Sequence, residues 1–168
     1  MKTLLNIKEE VIKLNKSTQP IDSGILELVV GLRAFNIPTQ SSCAGHKERN
    51  SAFPHVQILA ENEHIDFDDY SEQMMKIKKE WIRENIIIQD KLINLLTEFY
   101  QTRKAEYKYQ ISLHTMLDWA GVVLKCIGSD LLQYMPPEKF KKELLKYQKE
   151  MKMFGKFLVK KYQKSIPQ

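Results

Sequence analysis

Apolar residues along this chain keep two different rhythms, and the switches between them predict the fold. Leu4, Ile7, Val11 and Leu14 recur every three or four positions, the stripe of a short amphipathic helix over residues 3–15. Pro20 ends it. Asp22 or Ser23 is placed to cap the next helix, whose stripe is Ile25, Leu28, Val29 and Leu32 and whose end is set by Asn36 and Pro38. A short strand at 38–42 then runs into a Ser-Ser-Cys turn, and residues 54–60 alternate Val56, Ile58 and Ala60 against His55, Gln57 and Leu59, a second strand. Asp69 and Glu72 have the spacing of a capping box.

Beyond that box Met74, Trp81, Ile88, Leu92, Leu95 and Phe99 share one helical face, joined by Ile82, Ile86, Ile93 and Leu96. They predict a helix of about thirty residues, with the run Ile86-Ile87-Ile88 as a candidate bend. Residues 107–113 return to alternation, with Tyr107, Tyr109, Ile111 and Leu113 on one side. Val122–Ile127 is a further β-rich run, and Asp118 and Gly121 between the two suit a hairpin. Pro136-Pro137 opens a last helix, about 137–163, with Phe140, Leu144, Tyr147, Met151, Phe154 and Leu158 as its inner stripe.

This order predicts one α+β domain over residues 1–168, a small and mostly antiparallel sheet packed with helices, two of them long. The near-heptad stripes of the long helices suit pairing with each other or with a second copy of the chain, so a homodimer is a candidate assembly.

Composition narrows the class. The chain has 168 residues, 43% hydrophobic and 28% charged, enough for a real core and unlike a disordered segment. No apolar run approaches the roughly 20 residues of a membrane helix. The first residues lack the apolar stretch of a signal peptide, so a cytoplasmic location is expected and membrane partners are not. Two cysteines, Cys43 and Cys126, are too few for a disulfide scaffold. Ten lysines against three glutamates from Pro136 to Gln168 give that segment +7. Since the whole chain carries +5, the rest carries −2.

The stretch Ile37-Pro38-Thr39-Gln40-Ser41-Ser42-Cys43-Ala44-Gly45-His46 concentrates small polar groups where packing gains little from them. Thr39, Ser41 and Ser42 offer hydroxyls. Ala44 and Gly45 allow a ligand close to the backbone, whose N–H groups can receive an anion. Cys43 and His46 are the candidate catalytic pair, thiol and imidazole. His55 returns to the same end of the sheet if the two strands pair. Asp22 and Ser23 either face this site or cap their helix. Three readings stand side by side: a ligand pocket built on Asp22, Thr39, Ser41, Ser42, Gly45 and His55, a Cys–His nucleophile, and a zinc site using Cys43, His46 and His55. A small buried thiol with no chemistry is the fourth.

Asp22-Ser23-Gly24-Ile25, the helix ending near Asn36, then Thr39 and Ser42-Cys43-Ala44-Gly45-His46 resemble a group of short bacterial and phage proteins with a Thr-x-x-Ser-Cys-x-Gly-His signature and no established activity. More distantly, residues 22–60 are similar to the wybutosine-synthesis tRNA methyltransferase family. That family has an acidic residue, a helix and Thr-x-Ser-Ser-Cys-Ser-Gly-Arg. Thr39, Ser41, Ser42, Cys43 and Gly45 match, Ala44 stands for its Ser and His46 for its Arg. The second resemblance implies a related sheet and pocket, with S-adenosylmethionine or a modified nucleoside as candidate ligand. Replacing Arg by His removes a permanent charge and a bidentate phosphate partner.

Lys139, Lys142, Lys146, Lys149, Lys156 and Lys160 lie opposite the inner stripe of the last helix. They suit either a solvated face or a surface that follows RNA or DNA phosphates without reading bases. His64 and His114 near Asp66 and Asp118 share no spacing with the turn. Tyr109 suits packing, or base stacking if its face is open. Asp66, Asp68 and Asp69 lack the Gly and Glu of a calcium loop.

Overall fold

A computed structural model describes residues 2–15, 21–46, 52–61, 65–116 and 121–166. His64 and Asp118 lie outside them. Helix α1 spans Leu4–Asn15 and α2 Leu26–Ala34; the strands are β1, Ser41–Cys43, and β2, His55–Ile58. Helix α3 runs Glu72–Gln101, the strands β3 and β4 are Ile111–Thr115 and Val122–Cys126, and α4 is Pro137–Ser165. The four strands form one antiparallel sheet in the order β1-β2-β4-β3. The fold is α+β.

The sheet has two unlike faces because side chains alternate along each strand. Val56 and Ile58 of β2, Val122, Leu124 and Cys126 of β4 and Ile111 of β3 are buried. They belong to one buried cluster with the apolar sides of α2 and α4. Ser41, Cys43, His55, Gln57, Lys125, Ser112 and His114 alternate with them and share the opposite face by register. Leu28 and Leu32 of α2 and Tyr147, Met151, Phe154 and Leu158 of α4 fill the core. The two helices cross closely at Gly31 and Gly155: a Cβ on Gly155 would stand 2.8 Å from the Leu28 nitrogen, and one on Gly31 2.8 Å from Leu158 Cβ.

Three local expectations shift. The cap of α3 is Ser71, which accepts from the Met74 nitrogen at 3.2 Å, while Asp69 accepts from the Ser71 nitrogen at 2.7 Å, so Asp69 braces the cap instead of being it. Tyr107–Tyr109 form a 3₁₀ turn ahead of β3, because Tyr109 is drawn to α4, where its hydroxyl donates to Glu143 at 2.6 Å. Helix α3 is unbroken through Ile86–Ile88, and Ile82, Ile86, Ile87 and Ile93 are exposed. The helix outreaches the layer it packs on, so only a narrow strip is covered. Its middle is anchored at the end of β2, where Asn85 Oδ1 accepts from the Ala60 nitrogen at 2.9 Å and Trp81 Nε1 donates to the Ala60 carbonyl at 3.0 Å. Its far end meets α4 through Phe99 and Phe154, with ring centroids 5.2 Å apart. Among the described residues no helix is long and apolar enough to cross a membrane.

Candidate functional site

Two chain segments far apart in sequence build the site. Asp22 lies where the chain turns into α2. Its carbonyl accepts from the Ile25 and Leu26 nitrogens at 3.0 and 3.1 Å, forming the turn before the helix. The helix cap, Ile25, has no side-chain hydrogen bond. The Asp22 carboxylate reaches across to the turn after β1 instead, where Oδ2 accepts from the Ala44 nitrogen at 3.0 Å and meets His46 Nε2 at 2.8 Å. Of the two roles open to Asp22, the structure therefore selects the one facing the turn.

Strand β1 delivers Cys43 to that turn. The Gly45 nitrogen donates to Cys43 Sγ at 3.3 Å. One donor atom each from Asp22, Cys43 and His46 lies within 4.8 Å of the other two. All three residues are half-buried. Their surroundings are fixed from below: Gly45 holds a φ of +86° and packs so tightly that a Cβ would stand 2.8 Å from Leu144 Cδ1 and 3.0 Å from the Phe53 carbonyl carbon. Gln148 Nε2 donates to the Ala44 carbonyl at 2.9 Å. The glycine thus serves the turn and its seat on α4, and the space beside it belongs to Leu144.

No family model, curated protein or solved structure matches this chain.

The other sequence-predicted residues divide. His55 pairs with Cys43 across the strands, on the same face, and its Nδ1 lies 3.2 Å from the Phe53 carbonyl. It is outside the three-residue cluster. Ser41 Oγ donates to Gln57 Oε1 at 2.7 Å across the exposed edge, and Ser42 pairs with Val56 on the opposite face. Thr39 stands apart. Arg33 of α2 clamps it, Nε donating to Oγ1 at 3.1 Å and Nη2 to the carbonyl at 2.9 Å. The donor atoms that come together are those of Asp22, Cys43 and His46, and not those of Cys43, His46 and His55, because the packing of the α2 entrance against the turn decides which third donor is near.

Cys126 faces the core, and burial pushes its thiol well above the usual range, so it carries no chemistry. A groove of about 850 Å³ opens elsewhere, between Arg33, Phe35, Asn36 and Pro38 at the end of α2 and Ile87 and Lys91 of α3. None of the three clustered residues lines it.

On α4, Lys139, Lys142, Lys149, Lys156 and Lys160 are exposed, with no ion-pair partner among the described residues. Lys146 differs. It donates to Glu143 Oε1 at 2.7 Å and to the Tyr109 hydroxyl at 2.9 Å, so it belongs to a local network. Tyr109 is buried in that network and offers no stacking face. Sequence reasoning missed Lys141 and Lys152, also exposed. They sit one turn to either side of Leu144 and Gln148, the two residues that seat the turn. Their significance had no sequence signal, since it depends on which side of α4 the turn occupies.

Proposed function

We propose that the turn at residues 41–46 binds a phosphate-bearing ligand, a nucleotide or nucleic acid, with α4 as its basic docking surface. The observation that carries this reading is the seat of the turn on α4. Gln148 and Leu144 hold it between Lys141 and Lys152, and Lys142, Lys149, Lys156 and Lys160 extend the positive side of the same helix in solvent. Lysines so arranged supply attraction to phosphates without base recognition. The cytoplasm suits this role, and both cysteines are free thiols.

The test is fluorescence anisotropy of a labelled single-stranded RNA and of a DNA duplex against potassium chloride. Binding that weakens as a power of salt concentration, and weakens about tenfold or more in Lys141→Glu/Lys152→Glu, is expected. Binding insensitive to both would overturn the reading. Lys146→Glu serves as the contrast, since that lysine is engaged by Glu143.

A further inference from the structure

We infer that Asp22, Cys43 and His46 form a three-ligand site for a zinc-class divalent metal ion, with a fourth position open to solvent or ligand. The inference rests on donor geometry and stands apart from the phosphate reading.

The donor set is chemically selective. A thiolate with an imidazole suits zinc and its borderline-soft neighbours, and a single carboxylate completes a mixed S, N, O triad. Calcium and magnesium prefer oxygen donors and more of them. Metal–ligand bonds of about 2.0–2.3 Å in a tetrahedron leave ligand atoms roughly 3.3–3.7 Å apart. The three donors already lie within 4.8 Å of one another, so the triad closes on an ion with small side-chain movements. One contact has to open: His46 and Asp22 are 2.8 Å apart, closer than two ligands of one ion. The ion takes a place between them, where each offers it one donor atom.

The backbone around the triad is arranged as a supporting shell. The Ala44 nitrogen donates to the Asp22 carboxylate and the Gly45 nitrogen to the Cys43 sulfur. Such bonds orient a ligand atom and stabilise its negative charge. Two segments, the α2 entrance and the end of β1 with the turn after it, converge on one point, and α4 fixes that turn through Gln148. The His46 and Asp22 side chains remain 34% and 21% exposed, which leaves an approach for a fourth donor. A closed structural zinc site would use four protein ligands.

The experiment uses the full chain, stripped with a chelator and titrated with cobalt(II) as spectroscopic probe, followed by zinc competition. Expected are one equivalent of cobalt, a sulfur-to-cobalt charge-transfer band, the visible bands of a tetrahedral ion, and displacement by zinc. Cys43→Ser removes the charge-transfer band. Asp22→Asn and His46→Gln weaken cobalt binding about tenfold or more. Cys126→Ser and His114→Gln leave it unchanged. Circular dichroism checks each variant's fold, and the wild-type titration decides the matter without any variant. Absence of a thiolate–cobalt band in the folded wild-type chain, or an undiminished band in Cys43→Ser, overturns the inference. Neither result depends on whether the chain binds nucleic acid.

Discussion

The side-chain amide of Gln148 donates to the Ala44 carbonyl at 2.9 Å, joining α4 to the turn across 104 positions of chain. Gln148→Ala leaves that carbonyl without this donor. The expected cost is about 1 kcal/mol in urea unfolding, and Gln148→Glu, which also lacks the N–H, costs at least as much. An unchanged midpoint in both variants would show that the turn holds without α4.

Gly45 carries the turn's strain. Gly45→Ala places a Cβ against Leu144 and the Phe53–Pro54 backbone at a φ of +86°, and an expected loss of about 1–3 kcal/mol follows. Leu144→Ala in the same chain relieves only the side-chain clash. The two substitutions are therefore less than additive in a double-mutant cycle.

The crossing of α2 and α4 ranks two alanines. At Gly155 the added Cβ meets the Leu28 backbone nitrogen at 2.8 Å and Cα at 2.9 Å, whereas at Gly31 it meets the Leu158 side chain. Backbone cannot rotate away, so Gly155→Ala pushes the helices apart at about 1–3 kcal/mol. Both positions gain alanine's helix propensity of roughly 1 kcal/mol, so the neighbours set the ranking: Gly31→Ala costs less, because its Cβ meets one atom closely, Leu158 Cβ at 2.8 Å, against three backbone atoms within 3.1 Å at Gly155. Equal thermal midpoints would contradict this ranking.

Glu150 is a buried carboxylate, 3% exposed, held by Arg103 and by the Tyr100 hydroxyl at 3.2 Å. The same hydroxyl accepts from the Ile111 nitrogen at 2.7 Å. Burial pushes the Tyr100 phenol far above its usual range, so it stays neutral and donates. Arg103→Ala strands the charge at an expected cost of about 3 kcal/mol. Adding Glu150→Leu recovers a good part of it, which denaturant titration of the single and double variants resolves.

Acid sensitivity has an identified source. Hydrogen bonds from Lys146 and Tyr109 hold the Glu143 carboxyl down to about 2, well below the ordinary glutamate range. A depressed folded value stabilises fully above the unfolded one and is lost as pH falls through the folded one. Glu143 therefore contributes stability above about pH 5 that disappears towards pH 2. Glu143→Gln flattens that part of the stability–pH profile, and an unaltered slope there would refute the assignment.

Apolar periodicity determined the helices α1 to α4, the strands β2 and β4 and the inner stripe of α4, because burial of a 3.6- or 2-residue pattern is a local consequence of side-chain direction; the first strand, expected at 38–42, lies at Ser41–Cys43, and the alternation expected from 107 becomes strand only at Ile111. The concentration of Ser, Cys, Gly and His at 41–46 marked the site for the same reason: those residues are poor core material wherever they occur. The tertiary structure decided the rest. It chose Asp22 over His55 as third partner of Cys43 and His46, turned Thr39 away to Arg33, drew Lys146 into the Glu143 network and left Ile82, Ile86 and Ile93 uncovered. Each of these depends on which segments meet across tens of residues, and contacts at that range leave no periodic trace in the chain. An acidic residue before a helix reads equally as cap or as site until the neighbouring turn arrives, and here the turn came from β1, held in place by α4.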